Sequence, residues 1–246
     1  MNDKIKADVL KLLQLYKDGK LGGDKMPEDE NPGLSIDSRE NALYFTLPMS
    51  LNYQRNSYNL WESANKTFQD TATADCFYPE KVAEMPIDEL RQCLLKYRVA
   101  LQPNKQPVIW QTICATVHRE FDNDIRNLFI RENFKVCDIK HYIGRNKASF
   151  PYLVGNKILN YWLYVMEQYA NVKFADRENI TVAPDTHVIQ ASQKLGLIQD
   201  RELSRPDIQN IVSARWQGIL SGMGYCPIDI HTPLWLWSHG KFSVKL

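Results

Sequence analysis

The stretch from His141 to Val188 constrains this chain more than any other. A Gly-led segment, Gly144 to Ser149, precedes a long apolar-periodic run from Phe150 to about Gln168. Polar residues follow, and then Val182-Ala-Pro-Asp185-Thr-His-Val188. Ser149 can cap a helix, and Pro151 fits its first turn, where a missing N–H costs nothing. The spacing predicts a turn, a helix, a loop, and then a carboxylate at the mouth of a further helix. A turn with free backbone N–H groups suits an anion such as phosphate. A carboxylate suits a positive charge that develops beside that anion.

Most of the remaining chain also reads as helix. Ile5, Val9, Leu12, Leu13 and Tyr16 fall near helical spacing within residues 4–18. Gly19 to Ser38 is rich in Gly, Asp, Glu and Pro and reads as a linker. The domain expectation is therefore an N-terminal helix and linker over 1–38 and a helical body of two intimate lobes over 39–246. Helices are expected from Pro48 through Lys66 (with Leu51, Tyr58 and Trp61 inward), from Pro79 or Pro86 to Tyr97, and from Pro107 to Phe121. Asp122 or Asn123 should cap a short helix to Asn133, and another covers Val136 to Ile143. After Asp185 a helix runs to Leu195, Pro206 starts one through Leu220, and the last spans about Asp229 to Ser238. Only Ala42 to Thr46 and Ile180 to Ala183 alternate like strands. Gly155 and Gly218 fall in helical runs, where glycine allows close packing. The expectation is an all-α protein with two lobes and a central cleft.

Composition narrows the function classes. The chain has no run of 18 apolar residues and no signal-peptide core at its N-terminus, so a cytoplasmic protein with no membrane partner is expected. Its five cysteines include no C-x-x-C pair, so neither disulfides nor zinc is implied. No histidine shares metal-ligand spacing with nearby carboxylates or cysteines, and no metal or cofactor is expected. The net charge of +1 counts against a strongly electrostatic nucleic-acid binder. The distribution is less even: Arg126, Arg131, Lys135, Lys140, Arg145, Lys147 and Lys157 face only Glu132 and Asp138 in the same stretch. That excess surrounds the Gly-led segment; a solvated helix face would account for it equally well.

Four stretches carry a resemblance to a known family. They are His141-Tyr-Ile-Gly144, Lys157-Ile-Leu-Asn-Tyr161, Val182-Ala-Pro-Asp185 with Leu195-Gly-Leu-Ile198, and Ile230-His-Thr-Pro-Leu-Trp-Leu236. Leu51-Asn-Tyr-Gln-Arg55 with Trp61 adds a weaker fifth. The chain resembles the helix-hairpin-helix DNA glycosylases, and within them is most similar to the archaeal GO glycosylase family, which removes 8-oxoguanine. The resemblance runs from about residue 40 onward. It implies base excision repair of damaged double-stranded DNA by a monomer, without cofactor.

The resemblance also assigns roles. Asp185 matches the aspartate that assists cleavage of the N-glycosidic bond, where a carboxylate stabilises oxocarbenium character on the sugar. A plain N-cap is the alternative for an Asp in that position. Gly144, Arg145, Asn146 and Lys147 would hold the DNA backbone. Bifunctional relatives use a lysine amine to form a Schiff base. The chain departs from the family there: Phe150 stands where the nucleophilic lysine is expected. Lys147 is the nearest replacement, and Lys157 follows from the alternative Val154-Gly-Asn-Lys157 register. Trp61, Trp235 and Phe150 would contact the flipped base, with His231 in place of a family aspartate. Core packing is the competing reading for each ring.

Two functions stay open at this point. One is a DNA N-glycosylase that removes a damaged purine such as 8-oxoguanine with weak or no lyase activity. The other is an N-glycosidic hydrolase of a free modified nucleoside or nucleotide on the same fold, as in queuosine salvage.

Overall fold

A computed structural model describes residues 2–22 and 25–246. Met1, Gly23 and Asp24, part of the expected N-terminal segment and linker, lie outside the described residues. Among the described residues there are twelve α-helices and no strand: α1 (Asn2–Lys17), α2 (Arg39–Thr46), α3 (Ser57–Gln69), α4 (Pro79–Glu84), α5 (Ile87–Lys96), α6 (Gln106–Glu120), α7 (Arg126–Arg131), α8 (Val136–Arg145), α9 (Asn156–Tyr169), α10 (Thr186–Lys194), α11 (Ile208–Leu220) and α12 (His231–His239). The all-α reading holds. None of these helices is long and apolar enough to cross a membrane.

The chain forms two compact units. One comprises Met1–Lys25 with Arg177–Leu246, the other Met26–Asp176. The division differs from the expected break at residue 38. In the first unit α1 packs on α11 and α12. Ile5, Val9, Leu12 and Leu13 are buried along one face of α1, whereas Tyr16, expected on that face, is exposed. A helix that buries four large apolar side chains is an integral part of its unit, not an appendage.

In the second unit, α4 and α5 pack on α6, and α2 packs on α9. The segment Ala42–Thr46 lies inside α2 rather than in a strand. Ser38 starts that helix: its hydroxyl oxygen accepts the Asn41 N–H at 3.1 Å. Leu43, Tyr44 and Phe45 are all buried, so the helix is enclosed around most of its circumference and shows no helical stripe. The expected helix from Pro48 is interrupted. A 3₁₀ turn, Pro48–Leu51, gives way to an irregular stretch, and α3 restarts after Asn56, whose side chain caps the Asn59 N–H at 3.1 Å. Tyr58 is only half-buried there. Asp122 and Asn123 do not cap α7; both take left-handed backbone angles, φ 50° and 62°, four and three residues before its first residue, and Ile125 holds the N-cap.

The largest revision concerns the hairpin region. Helix α8 runs through Gly144 to Arg145, so Gly144 opens no turn. Residues 146–155 form the turn, and α9 starts at Asn156 with Gly155 at its N-cap. Neither Ser149 nor Pro151 starts a helix. Tyr152 explains why: its φ of 66° is incompatible with a right-handed helix. Phe150 and Leu153 are fully buried on either side of it, which holds the turn in place. A Cβ added at Gly155 or Gly218 would meet nothing within 4 Å, so neither glycine is needed for close packing.

Candidate functional site

Asp185 is the best-defined candidate, and its position follows from its neighbours in the first unit. Val182 and Ala183 are buried in an extended segment. The Ser213 hydroxyl on α11 donates to the Val182 carbonyl at 3.0 Å, anchoring that segment. Asp185 then takes the N-cap of α10, and its Oδ1 accepts the Val188 N–H at 2.9 Å. The cap uses one carboxylate oxygen and leaves Oδ2 out of the bond. The carboxylate sits half-buried at the positive end of the α10 dipole.

Helix α12 packs along α10 and sets two aromatic rings, Trp235 and His239, against His187 in its first turn. His187 meets the edge of Trp235 with ring centroids 5.2 Å apart, and His239 at 5.4 Å. Trp235 and His239, four residues apart on one helix face, stack at 4.6 Å and 12°. The Ser238 hydroxyl donates to Gln190 Oε1 at 3.1 Å, and His187 Nδ1 lies 3.3 Å from the same hydroxyl. With the hydroxyl proton directed to Gln190, Nδ1–H donates to Ser238 and Nε2 keeps its lone pair. Burial lowers the His187 pKa, Asp185 opposes that shift, and His239 adds to it. The imidazole beside the carboxylate is therefore neutral at pH 7, with an acceptor nitrogen available for proton transfer.

His231, the first residue of α12, is buried one turn before Trp235. Trp235 is 8% exposed and committed to the His239 stack, so a base would meet little more than an edge of it. The structure thus gathers Asp185 and Trp235 around His187. Composition and spacing pointed to His187 only as a rejected metal ligand. The signal for its role was present in the sequence: a histidine two residues after a capping aspartate, and a Trp-x-x-x-His pair on the last helix. Among the described residues, no group of three His, Cys, Asp or Glu side chains is placed to hold a metal ion.

The remaining candidates belong to the second unit. Trp61 is fully buried, and its Nε1–H donates to Glu28 Oε1 at 2.8 Å. It packs against Tyr44 and Phe45 at 5.8 and 5.5 Å. This ring is core, and the expectation that it stacks on a base is corrected. Phe150 is likewise fully buried, against Phe121 at 6.3 Å and Tyr142 at 6.0 Å, and offers no face to a substrate. A lysine at position 150 would bury an uncompensated amine. Phe150→Lys is expected to cost about 3–5 kcal/mol of stability and to restore no lyase activity. Urea denaturation together with an abasic-strand nicking assay checks both.

Gly144 and Arg145 end α8, and Asn146 caps it, its N–H donating to the Tyr142 and Ile143 carbonyls. Lys147 is exposed on the following turn, and Lys157 is the second residue of α9. Helix α9 thus opens at the Val154-Gly-Asn-Lys157 run. Part of the basic excess is used internally. Arg126 pairs with Asp124 and Arg131 with Glu132, and the Arg131 guanidinium lies 3.9 Å from the Tyr142 ring centre. Lys135, Arg145 and Lys147 remain exposed. Lys140 was not singled out by sequence. Its Nζ donates to Asn160 Oδ1 at 2.6 Å, and the Asn160 amide is held by the Asn156 carbonyl and side chain, each at 2.6 Å. Burial lowers its amine to about 8, with Cys137 and Asp176 opposing the shift.

Comparison with known proteins finds no family model that matches this chain. No curated protein matches it either.

Proposed function

We propose that this protein is a DNA N-glycosylase of the helix-hairpin-helix kind, releasing a damaged purine with weak or no strand cleavage. The observation that carries the reading is Asp185, held at the N-terminus of α10 by its bond to the Val188 N–H, two residues before His187. Breaking an N-glycosidic bond develops positive charge on the sugar, and a carboxylate fixed in advance stabilises that charge without reorganising. Oδ1 is tied to the helix, which aims the group, while Oδ2 is left for the sugar or for a water molecule. His187 Nε2 can accept the proton as that water attacks. The four sequence stretches that resemble the glycosylases support DNA as the substrate. The purine 8-oxoguanine is the first lesion to test.

Phe150, apolar and enclosed, motivates the limited lyase activity. Borohydride reduces a Schiff base to a stable protein–DNA adduct, so trapping on abasic DNA measures the step directly. Little adduct is expected relative to base release. Any residual adduct is expected to disappear in Lys147→Gln, because Lys147 is the exposed amine nearest position 150. Efficient trapping relative to base release would contradict the first statement, and a residual adduct that persists in Lys147→Gln the second.

A further inference from the structure

Two adjoining cavities of the second unit, about 160 and 340 Å³, share Arg55 and Leu101 in their walls. The smaller is closed by Tyr53 and Tyr152, and the larger is flanked by Arg98. We propose that they form a track for an unpaired DNA strand, with a base stacked on Tyr53 and the adjoining phosphates met by Lys105, Arg55 and Arg98. The proposal goes beyond base release and does not depend on it.

Three observations support the assignment. The first is the aromatic arrangement. Tyr53 is 53% exposed, its ring 5.8 Å from Tyr152, and Lys105 Nζ lies 4.9 Å from the Tyr152 ring centre. A cation, a ring and an outward-facing ring thus succeed one another. Any nucleobase has a π-face to lay on such a platform, and inside a duplex that face is covered by the stacked neighbours.

The second observation is charge. Lys66 pairs with Glu62, and Lys96 pairs with Asp70 just outside the cavity wall. Arg55, Arg98 and Lys105 make no ion pair among the described residues. The Arg55 guanidinium donates to the Val99 carbonyl at 2.5 Å and the Arg98 carbonyl at 3.2 Å, while its Nε is buried with no hydrogen-bond partner among the described residues. Burial first, and then the like charge of Arg98, lower its pKa to about 10. A phosphate would supply Arg55 with a counter-charge and an acceptor for its Nε–H.

The third is the backbone. Gln54, Arg98 and Tyr152 all line these cavities, and all have left-handed φ, at 50°, 65° and 66°. Non-glycine residues rarely adopt that conformation, and it gathers at ligand clamps.

The test is fluorescence anisotropy with a labelled oligothymidylate, its duplex with oligodeoxyadenylate, and thymidine monophosphate as competitor. Tyr53 and Lys105 are exposed, so their variants should fold. Wild type is expected to bind the single strand saturably and at least about tenfold more tightly than the duplex. Tyr53→Ala should weaken that binding about tenfold, and Tyr53→Phe should preserve it. Lys105→Gln should reduce the salt dependence by about 0.7 in log–log slope. Equal affinity for duplex, no saturable binding, or no effect of Tyr53→Ala would overturn the proposal. Competition by thymidine monophosphate as strong, nucleotide for nucleotide, as by the oligomer would also overturn it, in favour of a mononucleotide site. The probe carries no lesion, so failure here is separate from failure of base release.

Discussion

Asp185→Asn is expected to lower the rate of base release by about 10²–10³-fold while leaving the fold unchanged. The asparagine side chain keeps an oxygen to accept the Val188 N–H, and asparagine caps helices about as well as aspartate. The variant removes charge and little else. Thermal stability should therefore stay within about 0.5 kcal/mol of wild type. Asp185→Ala separates the two roles of the residue, since it loses the charge and also the cap, at about 1 kcal/mol. Retained activity in Asp185→Asn, with unchanged stability, would remove the carboxylate from the chemistry and leave it a helix cap.

The second large effect concerns stability, and it arises at Glu28. This carboxyl group is fully buried, accepting from Trp61 Nε1–H at 2.8 Å and from the Tyr161 hydroxyl at 2.9 Å. Burial raises its pKa from 4.5 to about 7; those two hydrogen bonds oppose the shift without cancelling it. An acid whose folded pKa is raised binds its proton more tightly in the native state. Its stabilising contribution is complete below about pH 4.5 and is lost as pH rises through about 7. The shift corresponds to about 3 kcal/mol between those limits. Glu28→Gln keeps an acceptor for Trp61 and cannot ionise. Urea denaturation across this range should show wild type losing about 3 kcal/mol relative to the glutamine variant. Parallel pH profiles would show that Glu28 does not hold its proton in the folded protein.

The same buried pair explains what the sequence could not convey. Asp185 was legible because capping is local: the oxygen, the helix it serves and the proline before it lie within a few residues. The helical class was legible for the same reason. Burial of an aromatic ring is decided by distant residues. Trp61 is enclosed by Tyr44 and Phe45 and bonded to Glu28, which lies 33 positions away, so its spacing alone suggested a base platform as readily as core. Phe150 turns inward because Phe121 and Tyr142 receive it, a contact invisible in a motif match. The start of α9 was misplaced because the left-handed Tyr152 stops the helix, and tyrosine gives no warning of that conformation. Lys140 is perturbed by burial, and its hydrogen-bond partner Asn160 lies on another helix. His187 gains its neighbours from α12, more than forty residues downstream.

The most direct measurement incubates the protein with a panel of lesion-bearing duplexes, beginning with 8-oxoguanine, and resolves free base from strand nicking by chromatography. The predicted result is stoichiometric release of a damaged purine from an otherwise intact strand, lost in Asp185→Asn. Release from free modified nucleosides but from no duplex, or no release at all, would contradict it.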